Sequence, residues 1–438
     1  DKFNFRIGAT DVPAANIVAP PAHVQGQQWF VLRAVPQVTP PDLYDLHVDY
    51  AGNTVLAATQ AEAIRYTQRD DADSMLIITE MWPSEKERSC SWKWEAVKAE
   101  TTRPGYPASA EEIPEFAQSY GEHYLEGLVL NEPNPAGILE DAEGIFVWDQ
   151  HLRYGGQHAT AWTDVPGEDS LRTLIVSIEA TYPEFNASRK AFRNVKAGRE
   201  ADLEELEKTH RSWWHSYYPR SFVSIPEKRL ESYYWQTIYR YGCTARQGRS
   251  FVHTSGLWFQ GGPWPYVTTD WNIQAAHWAL PMANRLEQSG EIMDAFYMAR
   301  ETLSENVRPV EWQEDAAYLH LTVAPDMIGP RDQDMRYWDA VGCLPWALHN
   351  CWWQYRYSMD DDMLREKLYP LLKRSVNLYL HMLEERDGKL HLPPTFNPET
   401  GTYADCNFDL ALLKWGCETL LRTCERLDLT DPLISTWK

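Results

Sequence analysis

Near residue 200 the interval between apolar side chains lengthens from two residues to between three and four, and that change fixes the layout of the chain. Upstream, Trp92, Trp94 and Ala96 alternate with Lys93 and Glu95, and Leu174, Val176, Ile178 and Ala180 alternate with Thr173, Ser177 and Glu179. A period of two puts alternate side chains on opposite faces of a strand, so both stretches predict half-buried strands. Short apolar runs at 75–78 and 145–148, bounded by turn-formers, add further strands. Pro- and Gly-rich connections between them suit an antiparallel β-sandwich. Downstream, Leu203, Leu206, His210, Trp213 and Tyr217 recur at helical spacing behind the acidic turn 200–205, and Pro219 and Pro226 end that helix. Leu230, Tyr234, Thr237, Tyr241 and Ala245 form a second amphipathic face, and helices are predicted over 272–288, 291–304, 337–355, 370–384 and 407–427. The expected division is a β-sandwich over 1–199, a linker helix over 200–225 and an all-α domain over 226–438.

Charge narrows the function. The 438 residues carry 41 Lys+Arg against 63 Asp+Glu, a formal net charge of -22. A surface this acidic repels phosphate backbones, so nucleic acid is not an expected partner. No stretch approaches the roughly 20 apolar residues of a membrane helix, so no membrane insertion is expected. The seven cysteines include no C-x-x-C pair; Cys243, Cys343, Cys351, Cys417 and Cys424 fall in helical, apolar contexts and read as small core residues. H-E-x-x-H, G-x-S-x-G, P-loop and G-x-G-x-x-G signatures are all missing. Neither a metal nor a cofactor is expected. The chain starts at Asp1 rather than Met, which neither shows nor excludes a removed export leader.

Two irregular stretches carry candidate chemistry. The first, 255–278, holds Trp258, Trp264 and Trp271 among glycines and prolines, with His277 and Trp278 just inside the following helix. Aromatic faces on a rigid loop, beside amides and carboxylates, suit stacking on the C–H faces of a sugar ring. The same residues would also serve to pack the loop onto the helices. Asp270 and Asn272 stand at the helix start, where the ordinary role is capping. Asp405 and Asp409 flank the start of the 407–427 helix, and there favourable charge at a helix N-terminus is the simpler reading. The second stretch is "PPTFNPETG", 393–401, whose prolines stiffen a loop around Glu399. Catalytic groups sit on such scaffolded loops, and glycosidic cleavage needs paired carboxylates.

These motifs carry a resemblance. "TTDWNIQAAHWALP" resembles the "NINxQxNYWP" motif of the inverting α-L-fucosidase and α-L-galactosidase family, glycoside hydrolase family 95. "PPTFNPETG" followed by "NFDLALLKWGCETLL" resembles that family's "PSxSPExG" loop and next helix, and "HRSWWHSYYPRSFVSIPEKRLESYYW" looks like its linker and first barrel helix. The resemblance covers about 205–430. It implies an N-terminal β-sandwich, a linker helix and an (α/α)6 toroid, acting in the periplasm or outside the cell on an oligo- or polysaccharide. Glu399 then matches the general acid, while Asn272 matches the second water-orienting asparagine of the motif.

The sequence departs from the family at two points. Asp270 replaces the first asparagine, and a carboxylate can accept the proton of a water that an amide can only orient. Asp270 is therefore the candidate base. The family's usual base is an aspartate further along the toroid, and about six helices are predicted after 226 where a closed toroid has about twelve. A half toroid would expose apolar inner faces, so the expectation is that this sequence represents the first half of the domain. A polysaccharide lyase, a glycoside phosphorylase and a non-catalytic carbohydrate-binding protein stay open as alternatives.

Overall fold

A computed structural model of the chain describes the strands and short helix named below up to residue 120, then nearly everything from 134 on. Residues 153–154, 183, 246–250, 252–266, 325, 330–339 and 399 lie outside the described set. By internal contacts the chain divides between Tyr217 and Tyr218.

The first unit contains two six-stranded sheets. One is built from β1 (Lys2–Ile7), β2 (Ala15–Val18), β3 (Trp29–Pro36), β4 (Tyr44–Asp49), β5 (Thr54–Leu56) and, after two strands of the other sheet, β8 (Cys90–Ala96). It is mixed: β1 runs parallel to β3, where antiparallel pairing alone was expected. The other sheet has the order β6 (Ala63–Asp71), β7 (Ser74–Trp82), β12 (Arg172–Thr181), β11 (Gln157–Pro166), β10 (Ile145–His151) and β9 (Ile138–Ala142), each neighbour antiparallel.

The predicted strands at 145–148 and 173–180 fall within β10 and β12, and the alternating stretch 92–96 falls within β8. Half-burial of β12 does not hold, because residues 173–179 are buried on both faces. Two helices absent from the sequence reading precede the junction: α1 (Ile113–Tyr120) and α2 (Ala187–Glu200). The second explains β12. Its small face, Ala187, Ala191 and Val195, packs with Ile145, Ala159, Ala161 and Ile175 in one core. Asn194 donates to Ser177 Oγ at 3.1 Å and to Glu179 Oε1 at 2.7 Å, so the polar face of β12 is buried with its hydrogen bonds made. A stripe of alanines is a weak periodic signal, which is why α2 escaped notice. Next, α3 (Leu203–Tyr217) follows its predicted periodicity, ending on the buried Tyr217, whose ring stacks on Trp213 at 4.8 Å.

The second unit is helical: α4 (Lys228–Thr244), α5 (Asn272–Met282), α6 (Leu286–Met298), α7 (Arg300–Glu305), α8 (Cys343–Ser358), α9 (Tyr369–Met382) and α10 (Asn407–Leu427). The single helix expected over 272–288 is instead broken between α5 and α6. Pro281 removes one donor from the last turn of α5, and Asn284 takes a left-handed φ of 53° just beyond it. Buried residues of α5, α6, α8, α9 and α10 share one core. The helices approach closely where side chains are absent: a Cβ on Gly416 of α10 would meet Val376 Cγ2 of α9 at 2.6 Å. Cys343, Cys351, Cys406 and Cys424 are buried, and Cys243 and Cys417 are half-buried; all six are free thiols. No helix among the described residues is long and apolar enough to cross a membrane.

Candidate active site

The N-terminal ends of α5, α8 and α10 are brought together by a ladder of rings. Trp271, just before α5, lies edge-on to Trp278 at 5.0 Å and 6.4 Å from Trp346 in the first turn of α8. Trp346 in turn meets Phe408 in the first turn of α10 at 5.5 Å. The aromatic wall continues along α8, where His349 sits edge-on to Trp415 at 4.9 Å and near Trp353 at 5.9 Å. Burial pushes the His349 imidazole below its ordinary pKa, favouring the neutral ring.

The start of α5 is fixed from below. Thr269 donates its backbone N–H to Leu321 O at 2.9 Å and its hydroxyl to His320 O at 2.5 Å. Short strands β13 (Val267–Thr268) and β14 (Thr322–Val323) extend that tie. Inside the helix, Gln274 Nε2 returns to Thr269 O at 2.6 Å and Asn350 Nδ2 of α8 donates to Gln274 O at 2.8 Å. On this rigid base, Asn272 N–H donates back to Asp270 O. Trp271 between them has φ 54° and ψ -49°, a γ-turn of the strained hand. A bulky residue at positive φ persists only where its surroundings enforce it, and such strain concentrates at functional sites. Trp271, not Asp270, fills the N-cap position, and the residue is 55% exposed.

The loop predicted around Glu399 is a hairpin of β15 (Thr395–Asn397) and β16 (Gly401–Tyr403). Thr400 N–H closes the turn onto Asn397 O at 3.2 Å, and Gly401 supplies a φ of +117° that side-chain-bearing residues rarely adopt. The base of the loop is stapled by Asp405, which accepts from Leu392 N at 2.9 Å and pairs with His391 Nδ1 at 2.7 Å. That contact with His391, with the bond from Leu392, holds the Asp405 carboxyl below its ordinary pKa. Asp409 is fully buried. It accepts from Thr395 Oγ1 of β15 at 2.5 Å and from the Tyr379 hydroxyl of α9 at 2.8 Å. The Gly342 backbone N–H at the head of α8 also donates to it. Burial raises its pKa, and these hydrogen bonds work against that rise. Helix-end charge fits Asp409, which lies in the first turn of α10 and is also an internal hub, whereas Asp405 is a loop staple.

The candidates therefore divide as follows. Asp270, Trp271, Asn272 and Trp278 stand together at the head of α5. His277 is only 1% exposed, with its ring beside Phe251 at 6.1 Å, so it lies in the core behind that wall. Glu399, Trp258 and Trp264 lie outside the described residues. Sequence reasoning missed the parts played by Trp346, Phe408 and Asp409. The aromatic pair was discoverable from its place in the first turn of two amphipathic helices, whereas the partners of Asp409 are 14 and 30 residues away. Among the described residues no group of three or more His, Cys, Asp or Glu is gathered as a metal site would be.

Three comparisons relate the chain to known proteins. The model of the glycosyl hydrolase family 95 catalytic domain matches residues 203–438. Alpha-L-fucosidase 2 of Arabidopsis thaliana is 24% identical over 182 residues, covering 37% of this chain and 20% of that protein. The chain thus spans about a fifth of the curated relative it matches. Among solved structures, a putative kojibiose phosphorylase from human microbiome superposes with a TM-score of 0.56 at 9% identity, covering 95% of this chain and 56% of the other. At that identity the likeness is one of fold. The family match takes in α3 to α10, the three helix heads and the hairpin, over more than half of the chain; the protein belongs to glycosyl hydrolase family 95.

Proposed function

We propose that this chain forms the substrate-binding and acid-bearing part of an inverting exo-glycosidase that removes an α-linked sugar of the fucose, galactose or rhamnose type from an oligo- or polysaccharide. One observation carries the reading: in a family 95 chain, the heads of α5 and α10 meet through the Trp271–Trp346–Phe408 ladder, which joins the Asp270–Asn272 turn to the helix that follows the Glu399 hairpin. In this reading α5, α8 and α10 are inner helices of an (α/α)6 toroid over 226–438, α6 and α9 are outer ones, and the sugar sits at the inner N-terminal ends. Residues 1–199 form a β-sandwich domain, joined by a linker over 200–225. The whole works in the periplasm or outside the cell.

Glu399 protonates the glycosidic oxygen as the C–O bond breaks. Asn272 orients a water on the opposite face of the ring, and Asp270 takes its proton as the new C–O bond forms. Inversion requires room for that water, a carboxyl separation of roughly 6.5–9.5 Å. Exposed Trp271, with Trp278, Trp258 and Trp264, supplies stacking surface, and His277 backs that surface from the core. Dispersion and C–H contacts on such faces give affinity without charge, as a neutral sugar needs.

Two substitutions test the assignment on a panel of nitrophenyl and alkyl glycosides. Glu399→Gln is expected to lose about 10²–10⁴-fold in turnover on alkyl glycosides, the usual worth of general acid catalysis, and far less on nitrophenyl glycosides, whose leaving group needs no proton. Asp270→Asn is expected to slow both by a similar factor while leaving folding intact. Unchanged turnover in either variant removes that residue from its role.

A further inference from the structure

We infer that Asp409 is a positioning residue for the hairpin Thr395–Tyr403, tying its first strand to the heads of α8 and α10 through one buried carboxylate. The inference rests on reading the hairpin turn as the carrier of the acid and extends it to a residue that touches no substrate.

Three features support the assignment. Asp409 is fully buried, and a buried carboxylate is retained only where several donors satisfy it. Its donors come from three separate segments: the Thr395 hydroxyl from the hairpin, the Tyr379 hydroxyl from α9 and the Gly342 N–H from the head of α8. The carboxylate therefore faces two helix N-termini at once, its own and that of α8, where a negative charge is favoured. Nor can the hairpin be held by its own ladder alone, since a two-stranded hairpin this short is marginal in water. Phe396 adds apolar contact with the helical core, but apolar contact tolerates sliding, whereas the Thr395–Asp409 bond of 2.5 Å fixes register. The base of the loop is held separately by Asp405, so Asp409 governs the strand that leads into the turn rather than the closure of the loop.

The test uses Thr395→Val, close to isosteric, which removes the single hydrogen bond between the hairpin and Asp409 and leaves the Tyr379 and Gly342 bonds in place. Amide exchange in 395–403 is expected to speed up by about tenfold, the loss of one bond to a charged group, with exchange in α10 unchanged. In the full chain, kcat on alkyl glycosides is expected to fall by a factor of about 10, with less than a twofold change on nitrophenyl glycosides and KM unaltered. A purely structural contact would lower both substrates together. Tyr379→Phe, on the far side of the carboxylate, is expected to give the same leaving-group signature more weakly. Unchanged exchange in the hairpin, or equal losses on both leaving groups, overturns the inference. Glu399→Gln separates the two levels. If it keeps full turnover on alkyl glycosides, the acid assignment fails, while the exchange measurement still decides whether Asp409 holds the hairpin.

Discussion

Trp271 shows how a single backbone angle ties folding to function. At φ 54° it sits where an L side chain costs roughly 1–2 kcal/mol, and neighbouring bonds from Thr269, Gln274 and Asn350 hold it there. Glycine carries no such cost, so Trp271→Gly and Trp271→Ala should differ although both delete the ring. We expect the glycine variant to be the more stable of the two by about 1 kcal/mol in urea unfolding, and both to bind sugar more weakly. Equal stabilities would mean that the turn relaxes once the indole is gone. Asp270, Asn272 and Glu399 are candidates from sequence because they belong to a recognisable local motif. Asp409 was not, because a lone aspartate near a helix start looks the same whether it is solvated or enclosed. What distinguishes it is contact with Thr395 and Tyr379, and contact is a property of the fold.

Among the elements, the helix heads pack against one another with no space to spare. A Cβ on Gly342 would lie 2.3 Å from Phe408 Cε1 and 2.7 Å from Leu412 Cδ1, so the head of α8 touches α10 through a missing side chain. Gly342→Val is expected to destabilise the helical unit by about 1–3 kcal/mol and to displace the Trp346–Phe408 contact, readable as a shift in tryptophan emission. The hairpin base has its own pH signature. Asp405, held below its ordinary pKa by His391, contributes stability that is fully present above the unfolded carboxylate value of about 4 and is lost as pH falls through the lower folded value. Amide exchange in 392–405 should therefore accelerate on that acid side, and Asp405→Asn should remove the dependence; a variant with the same acid limb would contradict the staple. Helix boundaries at this scale were readable where the apolar period ran unbroken, as in α10. They were misread over 272–288, where Pro281 and Asn284 split an unbroken apolar pattern. Helix α2 went unseen because its buried face is made of small residues.

Over the whole molecule, the change of period near residue 200 marks the helical stretch from α3 onward, although α1 and α2 already lie upstream among the strands. The mixed pairing of β1 with β3 and the burial of both faces of β12 were beyond periodicity, since each depends on which neighbour the strand meets. In the proposed function, the helix heads of the family 95 region, 203–438, share one purpose. Inversion at the anomeric carbon is the chemical statement on which that purpose depends, and proton NMR of the first product formed reads it directly. With an α-linked aryl glycoside from the panel, in water without added phosphate, the β-anomer is expected to appear first and to relax to the equilibrium mixture. Initial release of the α-anomer, or release only when phosphate is supplied, would contradict it.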